Sequence, residues 1–183
     1  MLLIYSSDVP VHRMVITRFA AFLQHRCSCD VRYDAWAQKD IMLHSPHAWL
    51  LRQIRSVQNI VVINSEGGRR RYNASLDGIH YEDHTPETPM ADLFLPAMME
   101  FRREIFNNRK VRLFNVYFPY ARKSDVVDLN LGQRYAMMRH LEELFLLMHD
   151  LPKYSREGVH SAGLISVERY TECEEGRALS AAI

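Results

Sequence analysis

Residues 59–64, Asn-Ile-Val-Val-Ile-Asn, constrain the fold more than any other stretch. Consecutive β-branched residues leave no polar face, so a strand here must be covered on both sides, as in the middle of a parallel sheet. Such a sheet needs helices on both faces, and the rest of the chain alternates strand-like and helix-like segments.

Residues 2–6 read as a first strand. Asp8 can cap the helix that follows, with Pro10 in its first turn, and Val11, Met14, Val15, Phe19 and Phe22 predict its apolar stripe. Val31 and Tyr33 lie in a short β-prone run over 30–33, ending at Asp34, and a polar loop carrying Trp36 comes next. Ser45-Pro46 then opens a helix with Trp49, Leu50, Leu51 and Ile54, of which Trp49 and Leu51 are expected to be buried. Residues 65–88 show a glycine pair, Arg69-Arg70-Arg71 and no helical period, which predicts a long irregular insertion, functional or mobile. Thr88-Pro89 predicts the cap of a third helix reaching about residue 107, with Leu93, Ala97, Phe101 and Ile105 on one face and Pro96 kinking its first turns.

Strands are predicted at 110–118 and 134–138, with a helical turn near 124–128 between them and an apolar helix over 140–149. The result is an α/β fold: a flavodoxin-like, five-stranded open parallel sheet with helices on both faces. Residues 1–152 form the domain. Residues 153–183 form an extension packed on it, whose helix over 174–182 docks through Leu179 and Ile183.

The chain has 183 residues and a net charge of +1, which gives no global field for nucleic acid or an anionic membrane. No apolar run approaches the ~20 residues that span a bilayer, and no signal peptide is evident. Strand-like residues from Leu2 onward suggest a domain cut from a longer chain. Three cysteines point to a reducing compartment. Cys27 and Cys29, near His25, read as a helix end and a strand start rather than a zinc site, which usually shows two ligand pairs.

The first strand ends Ser6-Ser7-Asp8 without a glycine-rich turn, which argues against a nucleotide or flavin phosphate site there. Asp8 and Asp34 end two strands, but no Asp ends the third, as a phospho-acceptor site would need. His80 and His84 read as solvated loop residues. The arginine triplet reads equally well as a solvated tip or as a grip for an acidic partner or phosphate. Trp36 reads as an edge plug with Asp34 capping local N–H groups, or as a surface recognition residue.

Several stretches together resemble one family: IYSSDVPVH, FLQHRCSCDVRYDAW, WLLRQI and NIVVINSEGG, then ADLFLPAMMEF, VYF and RYAMMRHLEELF. In order and spacing they are similar to SEFIR domains, the cytoplasmic signalling domains of interleukin-17 receptors and of their adaptor CIKS. The likeness is strongest to the A-type receptor branch, and VHSAGLISVERY with GRALSAAI extends it into the tail. The resemblance implies a TIR-like fold without catalysis, cofactor or metal. It also implies recruitment of a CIKS-type adaptor, or association with other receptor SEFIR domains, by SEFIR–SEFIR contact. It places the chain in the cytoplasmic part of a single-pass plasma-membrane receptor, with the membrane span upstream of Met1.

The family's third helix and preceding loop are implicated in pairing, which points to Asp92, Arg102 and Arg103 with Arg69, Arg70 and Arg71. Trp36 is the further surface candidate. Some TIR-like domains instead cleave NAD with a third-helix glutamate, for which Glu100 is the counterpart. Phe94 and Met99 stand where that chemistry wants polar neighbours, so interaction is the favoured reading.

Overall fold

The computed structural model describes residues 1–8, 10–79, 93–106 (104–106 as backbone), 111–127, 133–152 and 165–183. Its sheet has four parallel strands, β1 (Leu2–Tyr5), β2 (Asn59–Asn64), β3 (Arg112–Tyr117) and β4 (Arg134–Ala136), adjacent in that order. As its composition demands, β2 is interior: Ile60 pairs with both Leu2 and Leu113, and Ile60 to Ile63 are buried.

The expected fifth strand is reduced to a single bridge between Leu2 and Arg32. Leu3 N–H donates to Arg32 O (3.0 Å) and Arg32 N–H to Met1 O (2.7 Å). Val31 and Tyr33 are buried as their alternation predicts, but Arg32 alone takes up ladder bonds before the chain turns. This segment sits on the outer edge of β1, the position of the second strand in a flavodoxin-like sheet.

Helices cover both faces. Leu3, Val61, Ile63, Phe114 and Val116 pack with α1 (Pro10–His25), α6 (Leu141–Met148) and α7 (Glu174–Ala182). Leu2, Ile4, Ile60 and Val62 pack with α2 (Gln38–His44), α3 (Pro46–Ser56), α4 (Glu66–Leu76) and α5 (Phe94–Phe106). Alternate side chains of β1, β2 and β3 serve the two cores, as the pleat requires.

Three helix faces differ from expectation. On α1, Val11 and Met14 are about half exposed, while His12, Ile16 and Leu23 join Val15, Phe19 and Phe22 inside. On α3, Ser45 Oγ accepts from Ala48 N–H (3.4 Å), as the Ser-Pro signal predicts. Its buried residues are Trp49, Leu50, Gln53 and Ile54, however, and Leu51 is only half-buried. Pro96 is the third residue of α5, where its missing N–H was never needed, so it initiates rather than kinks the helix.

The largest correction is α4, which occupies the first part of the expected insertion. Ser65 Oγ accepts from Gly68 N–H (3.1 Å), capping the helix, and Tyr72 is buried against the α3–α5 side. The expected cap at Thr88-Pro89, and His80 and His84, lie outside the described residues.

The tail closes the other face. Leu179 is fully buried, Ile183 packs partly buried against the α1 core, and Tyr170 meets Phe22 edge-on at 6.2 Å. Gly176 fits because Tyr170 O crosses it: a Cβ there would stand 1.7 Å from that oxygen.

Candidate interaction surface

α5 has two distinct sides. Phe94, Ala97, Met98 and Phe101 face the core. Met99, Arg102 and Arg103 recur at helical spacing on the solvent side, Met99 41% exposed and both arginines exposed. Arg103 Nη1 stands 4.0 Å from Glu100 Oε1, a weak ion pair at this exposure. The face is thus an apolar centre flanked by guanidinium groups. Asp92 lies outside the described residues.

The arginine triplet is on α4 and not at a loop tip, and its members diverge. Arg69 Nε donates to Asp125 Oδ1 (3.3 Å), Arg70 pairs with Glu66 one turn back, and Arg71 Nη1 donates to Ser6 Oγ (3.3 Å). Arg69 and Arg71 are therefore directed toward the carboxyl ends of the strands, and Arg70 toward solvent.

Trp36 is both packed and accessible. It packs edge-on against buried Tyr33 (5.4 Å) yet remains 44% exposed. Asp34 Oδ1 accepts from Ala35 N–H (2.8 Å) and from the Tyr5 hydroxyl (2.9 Å). Burial, and then the Asp34 charge, push the Tyr5 phenol well above its ordinary pKa, so it stays a donor.

At the first turn an acidic group meets a glycine of α4. The Asp8 carboxylate lies against Gly67, where a Cβ would stand 2.0 Å from Oδ1. Nearby, His12 is 1% exposed and its Nδ1 lies 2.7 Å from the Tyr120 hydroxyl. Burial lowers the His12 pKa to about 4.

Cys29 Sγ is 3.7 Å from His149 Nε2, but burial pushes that thiol up to about 11 and Cys27 higher still. Both are protonated and poor nucleophiles at neutral pH. Among the described residues no group of three or more His, Cys, Asp or Glu side chains is placed to hold a metal ion. No helix among them is long and apolar enough to cross a membrane.

Sequence reasoning passed over one surface feature. Met42 and Leu43 on α2 are 83% and 80% exposed, while Ile41 beside them is buried. An apolar pair in a helix too short to bury both sides was the available signal.

The SEFIR domain profile matches residues 1–148. Interleukin-17 receptor D of Gallus gallus is 28% identical over 97% of this chain and 25% of its own length. Interleukin-17 receptor A of Homo sapiens is 30% identical over 99% of the chain and 22% of its own. The crystal structure of the interleukin-17 receptor B SEFIR domain superposes with a TM-score of 0.57 at 20% identity, covering 88% of this chain and 94% of that one. The fold and the profile define a SEFIR domain, and this chain belongs to that family. Its relatives are interleukin-17 receptors of the A, B and D types, and it spans about a quarter of their length.

Proposed function

We propose that this chain is the intracellular signalling domain of an interleukin-17 receptor, within a single-pass plasma-membrane protein, and that it recruits a CIKS-type adaptor through SEFIR–SEFIR contact. Residues 1–152 act as the recognition domain, and 153–183 as an extension that buttresses it. The observation that carries this reading is the outward face of α5, where Met99 lies between core-facing residues and the exposed Arg102 and Arg103. An apolar centre with charges around it suits protein recognition, the charges governing on-rate and partner choice. Arg70 and Trp36 extend the candidate surface, whereas Arg69 and Arg71 serve as internal ties. Other receptor SEFIR domains are the second class of partner. The test is titration of the adaptor's SEFIR domain against the wild type and the Arg102→Glu/Arg103→Glu double variant. Equal affinity of the two would move the interface away from α5.

A further inference from the structure

An open cleft of about 540 Å³ lies beside edge strand β4, lined by Lys123, Gln133, Arg134, Tyr135, His140 and Glu143. Its chemistry is one-sided. Lys123 and Arg134 form no ion pair among the described residues, although both line the same depression. His140 Nδ1 accepts a hydrogen bond from Ala136 N–H (3.0 Å). That bond needs the Nδ1 lone pair, so the ring proton resides on Nε2, which is left as a donor. The Tyr135 hydroxyl donates to Gln133 Oε1 (3.1 Å), which fixes the amide so that its NH₂ is also a donor. Among the described lining residues, four donor groups, two of them permanent cations, thus border one cleft against the single carboxylate of Glu143.

The support is fixed rather than loose. Lys123 sits in a one-turn 3₁₀ helix (Lys123–Asp125) whose Asp125 is buried and accepts from Arg122 N–H (2.8 Å) and from Arg69 on α4. Arg134 stands on β4 opposite Asn115 of β3. His140 follows β4 directly and is held by Ala136 and by an edge contact with Tyr135 at 6.3 Å.

We infer that this cleft binds the phosphate group of a small molecule. A phosphate presents several acceptor oxygens and close to two charges, which the Lys–Arg pair and the two neutral donors match. The volume is in the range of small-ligand sites, but the lining is too polar for an apolar ligand. The inference stands apart from adaptor recruitment, because neither Met99, Arg102 nor Arg103 of α5 lines the cleft.

The experiment follows the backbone amide resonances of the whole chain during titration with pyrophosphate at constant ionic strength, with AMP, adenosine and glutamate as parallel arms. Pyrophosphate and AMP should both shift the amides of Lys123, Arg134 and His140, whether the phosphate is free or carried by a nucleoside. Lys123→Glu with Arg134→Glu should weaken pyrophosphate at least tenfold. Glu143→Gln should tighten it severalfold by removing the opposing charge. All three positions are at the surface or half-exposed, and circular dichroism confirms the fold of each variant. Unchanged affinity in the charge-reversed variant, or adenosine or glutamate binding as well as the phosphates, overturns the assignment.

Discussion

Arg69 Nε lies 3.3 Å from Asp125 Oδ1, joining α4 to the turn after β3 through a carboxylate whose side chain is only 7% exposed. The other oxygen of Asp125 caps Arg122 N–H at 2.8 Å. Removing this acid takes from the Arg69 guanidinium and the Arg122 N–H the carboxylate that both bond. Asp125→Ala should therefore cost ~2–4 kcal/mol, whereas Arg70→Ala, whose pair with Glu66 is exposed to solvent, should cost under ~1 kcal/mol. Urea melts of the two variants measure the contrast, and equal losses would show that the tie to Asp125 contributes little.

His12 gives the fold a pH dependence with a definite sign. Its ring is buried, Nε2 has no hydrogen-bond partner among the described residues, and its pKa falls to about 4, against about 6.5 when unfolded. The native state thus binds fewer protons than the unfolded chain between those values. This contribution to stability is complete above about pH 6.5 and is lost as pH falls toward about 4. The limiting loss is about 3 kcal/mol. His12→Gln, which cannot titrate but can still bond Tyr120, should lack that share of the acid loss. Denaturant melts at several pH values should show a shallower slope for the variant; parallel slopes would assign the acid sensitivity elsewhere.

Trp49 is 2% exposed and Leu50 fully buried, whereas Leu51 is half-buried. Trp49→Ala should cost ~3–5 kcal/mol and Leu50→Ala ~2–4 kcal/mol. Leu51→Ala should cost less than Leu50→Ala, about 1–2 kcal/mol, because part of its surface stays in water in the folded state. Chemical denaturation of the three variants ranks them directly, and a larger loss at Leu51 than at Leu50 would contradict the observed face.

That one-residue rotation illustrates what the sequence reveals. Trp49 and Ile54 mark α3 as amphipathic, but Leu50 and Leu51 are chemically equivalent, and only the sheet beneath decides which is covered. The interior place of β2 was legible because an all-apolar strand has one way to be satisfied. α4 was not, because Gly68 and Tyr72 are its only buried residues and its stability rests on the Ser65 cap and on packing. The edge segment around Arg32 had the alternation of a strand, yet a single bridge is what its short extended run forms. At the candidate surface, the exposure of Arg102 and Arg103 followed from the spacing of Ala97 and Phe101. The inward paths of Arg69 and Arg71 depend on Asp125 and Ser6, which the sequence does not place beside them.

The C-terminal helix tests whether the tail is structural. Gly176 has no room for a Cβ, and Cys173 Sγ accepts from its N–H at 3.3 Å. Gly176→Ala must displace the Tyr170 carbonyl and should cost about 2 kcal/mol or more, despite the better helix propensity of alanine. Deleting residues 171–183 should expose the α1 surface around Phe22 and lower the melting temperature or the solubility. An unchanged melting temperature on deletion, with fast amide exchange across the tail in the full chain, would make it a linker.

The outward face of α5 makes the sharpest functional demand. Arg102 and Arg103 are exposed and, among the described residues, their ion pairing is limited to the 4.0 Å contact between Arg103 and Glu100, so reversing both charges should leave the core intact. A partner whose acidic groups meet them loses attraction and gains repulsion, which at an interface amounts to ~1–3 kcal/mol, or roughly tenfold or more in affinity. Most of that loss should appear in the association rate at low salt and shrink as salt rises, because exposed charges are screened. Met42→Ser with Leu43→Ser on α2 supplies the control: both residues are more than three-quarters exposed, so the fold should be unaffected. If α5 is the docking face, adaptor affinity should change less than about twofold in this control. Surface-immobilised binding kinetics for the two double variants against the adaptor's SEFIR domain separate the possibilities. Loss of binding in the α2 variant with wild-type behaviour in the α5 variant would transfer the interface to Met42, Leu43 and their neighbour Trp36.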